Sequence, residues 1–492
     1  MRTLIHCSAL LIVFALGCGD DSEADSSVDV GTEDVDVTDV GPPDVQDSSG
    51  PPAEWRHEPV ITVQSTEPCE DWVPVEPMPR GLPGDATPRL LWRYRPANDP
   101  RYSGPVAAFY SGVSEPVVSP DGTIWVRGPR AAHVTQLSRD GLMRRWFRAG
   151  GADENDPGIS ARLGPLLPLP DGRVVAAIYS EDQHPRVGGL RVMDPRAPFS
   201  PAANATGGAP IRGLEYHTAL AVGPGGMVYA TGGNKLYATC QGERLMWTLT
   251  NEEIEPSIPF ASSFSYLRVE TDGSLVLSGG QRVYRVNPDT REIQTSQPIA
   301  IERDKLLALI GELEAPATSI YHVTDGEDSD LVVLAGGNET RLEGIANGNL
   351  SPTGAVIFFD AAAGALFALD PPYDLQPRTI AWEGQYNPVF SRWLDGGDWV
   401  GGRIAPGLQR FTGNGEEVWN VPVAAEGESA VLSGVIRVSV MDQTGVVFAA
   451  LRVGLAPIEL AAIQTDGLPP PMNVCVENGC NAHRDRWVRP AE

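Results

Sequence analysis

The sequence predicts an all-β fold, a β-propeller of four-stranded antiparallel blades, from three observations. Tight-turn dipeptides stand between short apolar runs along residues 114–467. These dipeptides recur at intervals near 40–50 residues, and several of the units between them end in a second turn followed by Trp. A repeat of this length with about four short strands is typical of propellers, in which radial repetition leaves few unpaired strand edges.

Residues 114–146 show the repeating unit in full. Asp121-Gly122 separates the apolar stretches 116–119 and 124–126, and Asp140-Gly141 precedes Trp146. Asp-Gly between two apolar runs is a strong hairpin signal, because Gly adopts the positive φ that a tight turn requires. Six further copies of the first turn follow, at Asp171-Gly172, Gly225-Gly226, Asp272-Gly273, Thr353-Gly354, Asp395-Gly396 and Thr444-Gly445.

The spacing of these turns predicts the number of blades. Successive turns begin 50, 54, 47, 81, 42 and 49 positions apart. The 81-residue interval contains apolar residues at helical spacing over 301–313, which predicts a helix, and a strand pattern over 331–334. We therefore predict seven blades with an inserted segment near 295–346, and eight blades as the alternative if that segment is a degenerate blade.

The two ends of the repeat region predict how the ring closes. The last copy stops at Gly467 and continues into a run of three prolines without its Trp. The stretch 90–94, Leu-Leu-Trp-Arg-Tyr, has the character of the missing strand and has no preceding turn strands of its own. We expect this stretch to be the outermost strand of the last blade, within a propeller that spans residues 56–470.

The repeat over residues 90–467 resembles the quinoprotein-type propeller repeat. That repeat is shared by alcohol dehydrogenases that bind pyrroloquinoline quinone and by their non-enzymatic relatives. The dehydrogenases carry two adjacent cysteines over the cofactor, and this sequence has none, so the resemblance implies the non-enzymatic branch. In the family the repeated Trp packs between neighbouring blades, which implies a structural role for Trp146, Trp247, Trp382 and Trp419.

The N-terminal residues predict export and a lipid anchor. Residues 1–17 have the layout of a signal peptide, with Arg2, an apolar run over 10–16 and small residues before Cys18. The stretch 15–18, Ala-Leu-Gly-Cys, resembles a bacterial lipobox, which predicts lipid attachment at Cys18 and a place in the cell envelope, at the outer membrane or the periplasmic face. Residues 18–55 are mostly acids and small residues, and we expect a disordered tether there because little apolar surface can be buried.

Charge narrows the classes of partner. The net charge is −27 and the pI is about 4.6. Nucleic acids and anionic lipid surfaces bind positively charged protein surfaces, and this chain is strongly negative, so neither is an expected partner. Contact with a membrane is therefore expected through the lipid anchor only.

Cysteine number agrees with export. Apart from the cysteines of the signal and the anchor, an even number remains, which suits disulfides in an oxidising compartment: Cys69, Cys240, Cys475 and Cys480. Three pairings are possible. A small loop closed by Cys475 and Cys480 in the C-terminal tail, residues 471–492, is one candidate, and a bond from Cys69 to that tail is another.

The sequence contains no recognisable catalytic motif. We find no nucleophile elbow, no zinc-protease motif and no phosphate-binding loop, and the seven His residues are scattered. No catalytic residue and no cofactor is therefore predicted. One acidic stretch is a weak candidate for a metal site, but it lacks the Gly and the distal Glu of a calcium loop, which favours a solvated turn: Asp325, Glu327, Asp328 and Asp330.

The leading interpretation is a non-catalytic cell-envelope lipoprotein whose propeller binds or scaffolds other envelope proteins. The combination of anchor and propeller resembles the lipoprotein that assists outer-membrane β-barrel assembly, although the long acidic tether and the 81-residue interval depart from it. A quinone- or metal-dependent periplasmic oxidoreductase is an alternative from another class. A surface carbohydrate-binding or adhesion protein is a further alternative.

Overall fold

Described residues of the computed structural model begin at position 64 and end at position 476. The chain divides into two compact units, residues 1–48 and 49–492, and all that follows concerns the second. The structure describes residues 64–81, 86–94, 114–127, 133–148, 161–180, 187–196, 211–215, 217–232, 235–254, 264, 266–270, 272–302, 305–313, 317–324, 329–345, 348–360, 362–374, 376–380, 392–394, 396–402, 407–424, 433–453, 459–469 and 474–476.

Eight antiparallel sheets form the blades of a closed β-propeller. The first strand in the sequence, β1 (Arg89–Tyr94), is the outermost strand of the last blade. From innermost to outermost strand, blade 1 is β2 (Ser114–Val118), β3 (Ile124–Arg127), β4 (His133–Leu137) and β5 (Met143–Arg148); blade 2 is β6 (Ala161–Pro168), β7 (Val174–Ser180), β8 (Val187–Met193) and β9 (Ile211–Glu215); blade 3 is β10 (His217–Val222), β11 (Met227–Gly232), β12 (Lys235–Cys240) and β13 (Arg244–Thr250).

The remaining blades repeat this plan after a four-residue helix, α1 (Asn251–Ile254). They are blade 4 with β14 (Tyr266–Val269), β15 (Leu275–Gly279), β16 (Arg282–Val286) and β17 (Ile293–Ser296); blade 5 with β18 (Leu306–Leu313), β19 (Thr318–Thr324), β20 (Ser329–Ala335) and β21 (Asn338–Leu342); blade 6 with β22 (Gly348–Leu350), β23 (Val356–Asp360), β24 (Ala365–Leu369) and β25 (Arg378–Ile380); blade 7 with β26 (Arg392–Trp393), β27 (Trp399–Gly402), β28 (Gly407–Phe411) and β29 (Glu417–Pro422); and blade 8 with β30 (Ser433–Met441), β31 (Val446–Val453), β32 (Glu459–Gln464) and β1.

The number of blades corrects the main prediction of seven and confirms the alternative of eight. Residues 306–342, within the segment predicted as an insertion, form blade 5. The predicted helix over 301–313 was wrong, because Leu307, Leu309 and Leu313 are buried on alternate positions of the strand β18. The apolar residues that suggested a helix do not form one face, since Leu306 is exposed, Ile310 is half-buried and Leu313 is buried.

The ring closes as the two ends of the repeat predicted. β1 pairs antiparallel with β32, from Arg89 opposite Gln464 to Tyr94 opposite Leu460. A buried ion pair fixes this strand, because Arg93 Nε donates to Glu459 Oε2 at 2.7 Å and both side chains are less than a tenth exposed. On the other side of blade 8, β30 packs beside β2 of blade 1. The N-terminal strand therefore holds the last blade in the circle.

The core of the described residues is divided among the junctions between blades. Eight clusters of buried side chains each join two neighbouring blades, and together they include the junction of blade 8 with blade 1. At that junction Phe448 of β31 packs with Ile124 of β3 and with the half-buried Trp92 of β1. Burial of one such side chain contributes roughly 1.5–3 kcal/mol. Since each cluster needs two blades, removal of one blade weakens both junctions it makes.

The C-terminal segment adds a fifth strand to one blade. β33 (Val474–Val476) pairs antiparallel with the last residues of β18, placing Cys475 opposite Glu312. Because β18 is the innermost strand of blade 5, β33 lies on the side of the sheet that faces the axis of the ring. The chain after blade 8 thus returns to the axis at blade 5.

Candidate functional site

The two ends of the ring differ in what they carry. One end, here called the turn face, holds the tight turns between the first and second strands, such as 119–123 and 169–173. The opposite end, here called the connection face, is where the outermost strand of each blade ends and the innermost strand of the next blade begins, as at Arg148 and Ala161. This polarity follows from the up-and-down order of the strands in every blade. A binding surface on either face is thus built from different parts of the chain.

A segment that precedes β1 lies across the turn face. We call residues 65–81 the strap; it has no helix or strand of its own. The strap passes over blades 3, 2, 1 and 8 in that order, since its contacts are with Leu245, Pro170, Pro120 and Gln443 in turn. The contacts of the strap therefore follow half of the circle of blades.

Every third residue of the strap binds one blade. Val75 N donates to Pro170 O at 3.0 Å, Met78 N to Pro120 O at 2.9 Å, and Gly81 N to Gln443 O at 2.7 Å; the three acceptors hold the same position in the turns of blades 2, 1 and 8. On blade 3, Trp72 Nε1 donates to Gly223 O at 2.9 Å. The strap therefore passes from one blade to the next every three residues.

This spacing has a physical cause in the prolines of the segment. Pro68, Pro74, Pro77 and Pro79 fix φ near −65° and favour the polyproline II helix, which has three residues per turn. The side chains at 72, 75 and 78 are half-buried or buried against the blades, and those between them are exposed, Val73 by 82%. The sequence carries this signal as an apolar residue at every third position from 72 to 78.

A disulfide fixes the strap to blade 3. Cys69 is bonded to Cys240 at the end of β12, with a sequence separation of 171. Arg244 lies beside this bond and donates to Ser65 Oγ, to Glu67 Oε2 at 2.7 Å and to the carbonyl of Pro68. Gln241 Nε2 donates to Glu70 O at 3.2 Å. Four consecutive strap residues are therefore held on the outer part of one blade.

This disulfide corrects one of the predicted pairings. Cys69 does cross-link the N-terminal segment, but to blade 3 and not to the C-terminal tail. Cys475 lies in β33, and its side chain is outside the described residues, as is Cys480. With Cys69 and Cys240 bonded to each other, the pairing of Cys475 with Cys480 stays a prediction.

Glycines in the turns leave the room that the strap occupies. Gly226 has a φ of +75°, and a Cβ there would lie 2.0 Å from Glu70 O and 2.8 Å from Cys69 Sγ. Gly273 holds the same turn position in blade 4, with a φ of +84°, and a Cβ there would meet only a Pro224 side-chain atom at 3.7 Å. The two glycines share the left-handed conformation and differ in their contact with the strap.

We expect Gly226→Ala to lower the free energy of unfolding by about 1–3 kcal/mol more than Gly273→Ala. Both variants carry the cost of a left-handed Ala, whereas only Gly226→Ala forces a methyl group into the strap backbone. Urea denaturation followed by circular dichroism measures the difference. Equal losses in the two variants would mean that the strap does not lie on the turn of blade 3.

Ion pairs also link neighbouring blades at the turn face. Arg173 of blade 2 binds Asp171 at 2.6 Å and reaches Glu243 of blade 3 at 3.0 Å. Arg410 of blade 7 binds Asp398 and also contacts Asp466 at the end of blade 8. The charged side chains in these turns therefore bind one another, which gives them a structural role.

One buried acid stands out in the turn of blade 8. Asp442 Oδ1 accepts hydrogen bonds from Thr444 N, Thr444 Oγ1 and Val446 N, while Oδ2 has no hydrogen bond and lies 3.7 Å from Arg139. Burial raises the pKa of the Asp442 carboxyl above its usual 3.8. The hydrogen bonds and the charge of Arg139 lower this pKa, but their effect is smaller than that of burial. The neighbouring Gln443 is the residue that binds Gly81 of the strap.

Asp442→Asn is expected to gain stability relative to the wild type as pH rises from 3.8 through the raised pKa of the folded state. Because the pKa is raised in the folded state, the unfolded chain loses this proton first, so the free energy of unfolding of the wild type falls across that window. Asn has no proton to lose and keeps an oxygen for the turn. Urea denaturation at several pH values compares the two proteins, and a difference that does not change with pH would contradict this account.

The tryptophans predicted to pack between blades are described only in part. Trp247, in β13, is buried in the cluster between blades 3 and 4, with its ring centroid 6.0 Å from that of Tyr229. Trp419, in β29, is half-buried against the cluster between blades 7 and 8. The side chain of Trp146, in β5, and all of Trp382 lie outside the described residues. Trp92 of β1 holds the corresponding place in blade 8, where its Nε1 donates to Arg139 O at 2.7 Å.

Of the acidic stretch predicted as a weak metal candidate, the structure describes only Asp330, so that site stays a prediction. Asp325, Glu327 and Asp328 lie outside the described residues, and Asp330 binds Arg341 at 3.5 Å and the amide of Gly344 at 3.2 Å. Within the part of the chain that the structure describes, no three His, Cys, Asp or Glu side chains are grouped so that they could hold a metal ion. The same residues include no helix long and apolar enough to cross a membrane. Cys18, the predicted lipid site, lies outside them.

Comparisons with known proteins gave matches among solved structures only. No protein-family model matches the chain, and no curated protein sequence matches it. Among solved structures, the chain is similar to virginiamycin B lyase from Staphylococcus aureus, with a TM-score of 0.37 and 11% identity over 72% of this chain and 95% of that one. It is also similar to PorZ, a surface component of the type-IX secretion system of Porphyromonas gingivalis, with a TM-score of 0.39 and 8% identity over 70% of this chain and 58% of that one. These likenesses concern the propeller alone, and we infer no activity from them.

Proposed function

We propose that this protein is a non-catalytic, lipid-anchored binding module of the cell envelope, which binds a protein partner through the connection face. The observation that carries the proposal is the strap: four blades of the turn face already bind backbone or side-chain groups of the chain's own N-terminal segment. A partner at those turns would have to displace a cross-linked segment. Among the described residues, the contacts of the strap lie at the turn face and none lies at the connection face.

The connections themselves support this choice of face. Long stretches of sequence separate the outermost strand of one blade from the innermost strand of the next, among them 95–113, 149–160 and 381–391, and connections on a rigid scaffold commonly carry binding residues. Two of these three stretches contain several aromatic residues, which protein interfaces favour. They hold Tyr102, Phe109 and Tyr110 in one, and Tyr386 and Phe390 in the other.

Export and anchoring complete the proposal. The Cys69–Cys240 disulfide is the kind of bond that persists in an oxidising compartment outside the cytosol. In this proposal Cys18 carries the lipid, because it ends the lipobox-like stretch 15–18, and the acidic residues that follow form the tether. Within the described residues, the N-terminal end of the strap is held at blade 3 of the turn face, where Ser65 N donates to Leu245 O at 2.7 Å. The resemblance of the repeat to the quinoprotein-type propellers, in their non-enzymatic branch, is in keeping with this proposal.

Cross-linking in native envelopes followed by affinity purification and mass spectrometry tests this function. The wild type is compared with Cys18→Ser and with a connection-face variant, Tyr102→Ala/Phe109→Ala/Tyr110→Ala. The matched control is Val73→Ala/Leu142→Ala, which removes the two most exposed apolar side chains described, both on the turn face. We expect a defined envelope protein with the wild type and the control, and its loss from the connection-face variant.

Each result has a separate meaning. Loss of the partner from the control and its retention by the connection-face variant would overturn the choice of face. Recovery of a bound quinone or metal ion in place of a protein would overturn the scaffold function. Absence of a lipid on Cys18, measured by mass spectrometry of the intact protein, would overturn the anchor and leave the binding face untouched.

A further inference from the structure

The order of features along the N-terminal chain determines how tension would enter the ring. From its N-terminal side the chain passes Cys69, follows the strap to Gly81, and then enters β1. A pull on that end of an uncross-linked chain would remove the strap from the turns one hydrogen bond after another. The same pull would then act on β1, beginning at the pairing of Arg89 with Gln464 in blade 8.

The disulfide lies upstream of the strap contacts made by Trp72, Val75, Met78 and Gly81, and upstream of β1. Because Cys69 is bonded to Cys240, tension from the N-terminus passes into β12 before it reaches Trp72. β12 is flanked on both sides by paired strands, β11 and β13. The receiving strand is therefore held in the middle of a sheet, whereas β1 is held by pairing on one edge only.

Further contacts support the same point of attachment. Arg244, at the start of β13, forms an ion pair with Glu67 at 2.7 Å and donates to the carbonyl of Pro68. Ser65 N donates to Leu245 O at 2.7 Å, on the N-terminal side of the disulfide. Blade 3 thus holds the chain on both sides of Cys69.

We propose that the Cys69–Cys240 disulfide is a mechanical attachment point, which carries tension from the N-terminal tether into blade 3 and keeps it away from the strand that closes the ring. The source of that tension rests on the proposed function, since a lipid on Cys18 would hold the tether in a membrane. The mechanical property belongs to the folded chain and needs no lipid.

Pulling single molecules in optical tweezers tests this inference. The chain from residue 19 carries one handle at its N-terminus and a second on a peptide inserted between Ala362 and Ala363, in an exposed turn between β23 and β24 of blade 6. With the disulfide reduced in the trap, we expect an early rupture at low force that releases residues 70–94, roughly 80–90 Å of extended chain. In the oxidised molecule this rupture is absent, and the first event occurs at higher force.

Two variants separate the disulfide from its surroundings. Cys69→Ser/Cys240→Ser is expected to show the early rupture without reductant, whereas Arg244→Ala, which keeps the disulfide, is expected to lack it. An early rupture of the same size and force in the oxidised and reduced wild type would overturn the inference. So would a reduced molecule in which residues 70–94 are not released first. Neither trace depends on lipidation, so failure of the anchor and failure of this inference are distinguishable.

Discussion

Replacing Glu459 with Ala is expected to lower the free energy of unfolding by about 3–5 kcal/mol, one of the two largest effects of a side-chain change that we predict. Glu459 is the carboxylate partner of Arg93, and both side chains are less than a tenth exposed. Its removal leaves a buried guanidinium charge without that partner, on the strand that closes the ring. Equilibrium denaturation in urea measures the loss.

The control for this prediction is an ion pair at the surface. Asp194 and Arg196 lie 3.0 Å apart, with side chains 38% and 63% exposed, and exposed pairs contribute at most about 1 kcal/mol. Asp194→Ala should therefore cost little. Arg93→Met/Glu459→Met should recover much of the loss, because it removes both charges and fills the volume. A loss in Glu459→Ala no larger than that of Asp194→Ala would contradict the buried role of the pair.

Cys69→Ser/Cys240→Ser is expected to lower the free energy of unfolding by about 2–5 kcal/mol. The bond joins residues separated by 171 positions, and a cross-link that closes a long loop restricts the unfolded chain most strongly. Urea denaturation of the oxidised proteins measures the effect.

The single variants provide the internal control. Cys69→Ser and Cys240→Ser should each cost about as much as the double variant, because either one removes the same bond. Reduction of the wild type by dithiothreitol should bring its stability to that of the double variant. Losses that add up across the two single variants would mean that the cysteines act independently and that the bond is not formed.

Much of the ring was predictable from local sequence, because the turns that define it need particular residues. Gly122, Gly172 and Gly273 have φ values of +84°, +85° and +84°, the left-handed conformation that makes Asp-Gly a turn signal. The closing strand was also predictable, since a lone strand without a hairpin partner in sequence must pair elsewhere. Blade 5 was not predictable by the same means. Its first two strands are joined through residues 314–317, Glu-Ala-Pro-Ala, which contain no Gly turn.

The strap escaped prediction for a different reason. Its residues make no regular hydrogen bonds with one another, so its conformation depends on the positions of four turns that are distant in sequence. The prolines at 74, 77 and 79 indicate an extended chain, but nothing local indicates what that chain lies against. The partner of Cys69 could not be predicted either, because pairings of four cysteines are decided by the fold.

Hydrogen exchange of the strap amides tests the central claim most directly. If the strap lies on the turn face, the amides of Val75, Met78 and Gly81 should exchange slowly, because each donates to a turn carbonyl. The amides of Val73 and Glu76, two exposed residues between these contacts, should exchange fast. Mass spectrometry with electron-transfer fragmentation resolves this alternation residue by residue. Slow exchange at the three contact residues beside fast exchange at the other two is the predicted result, and uniformly fast exchange from 73 to 81 would contradict the account.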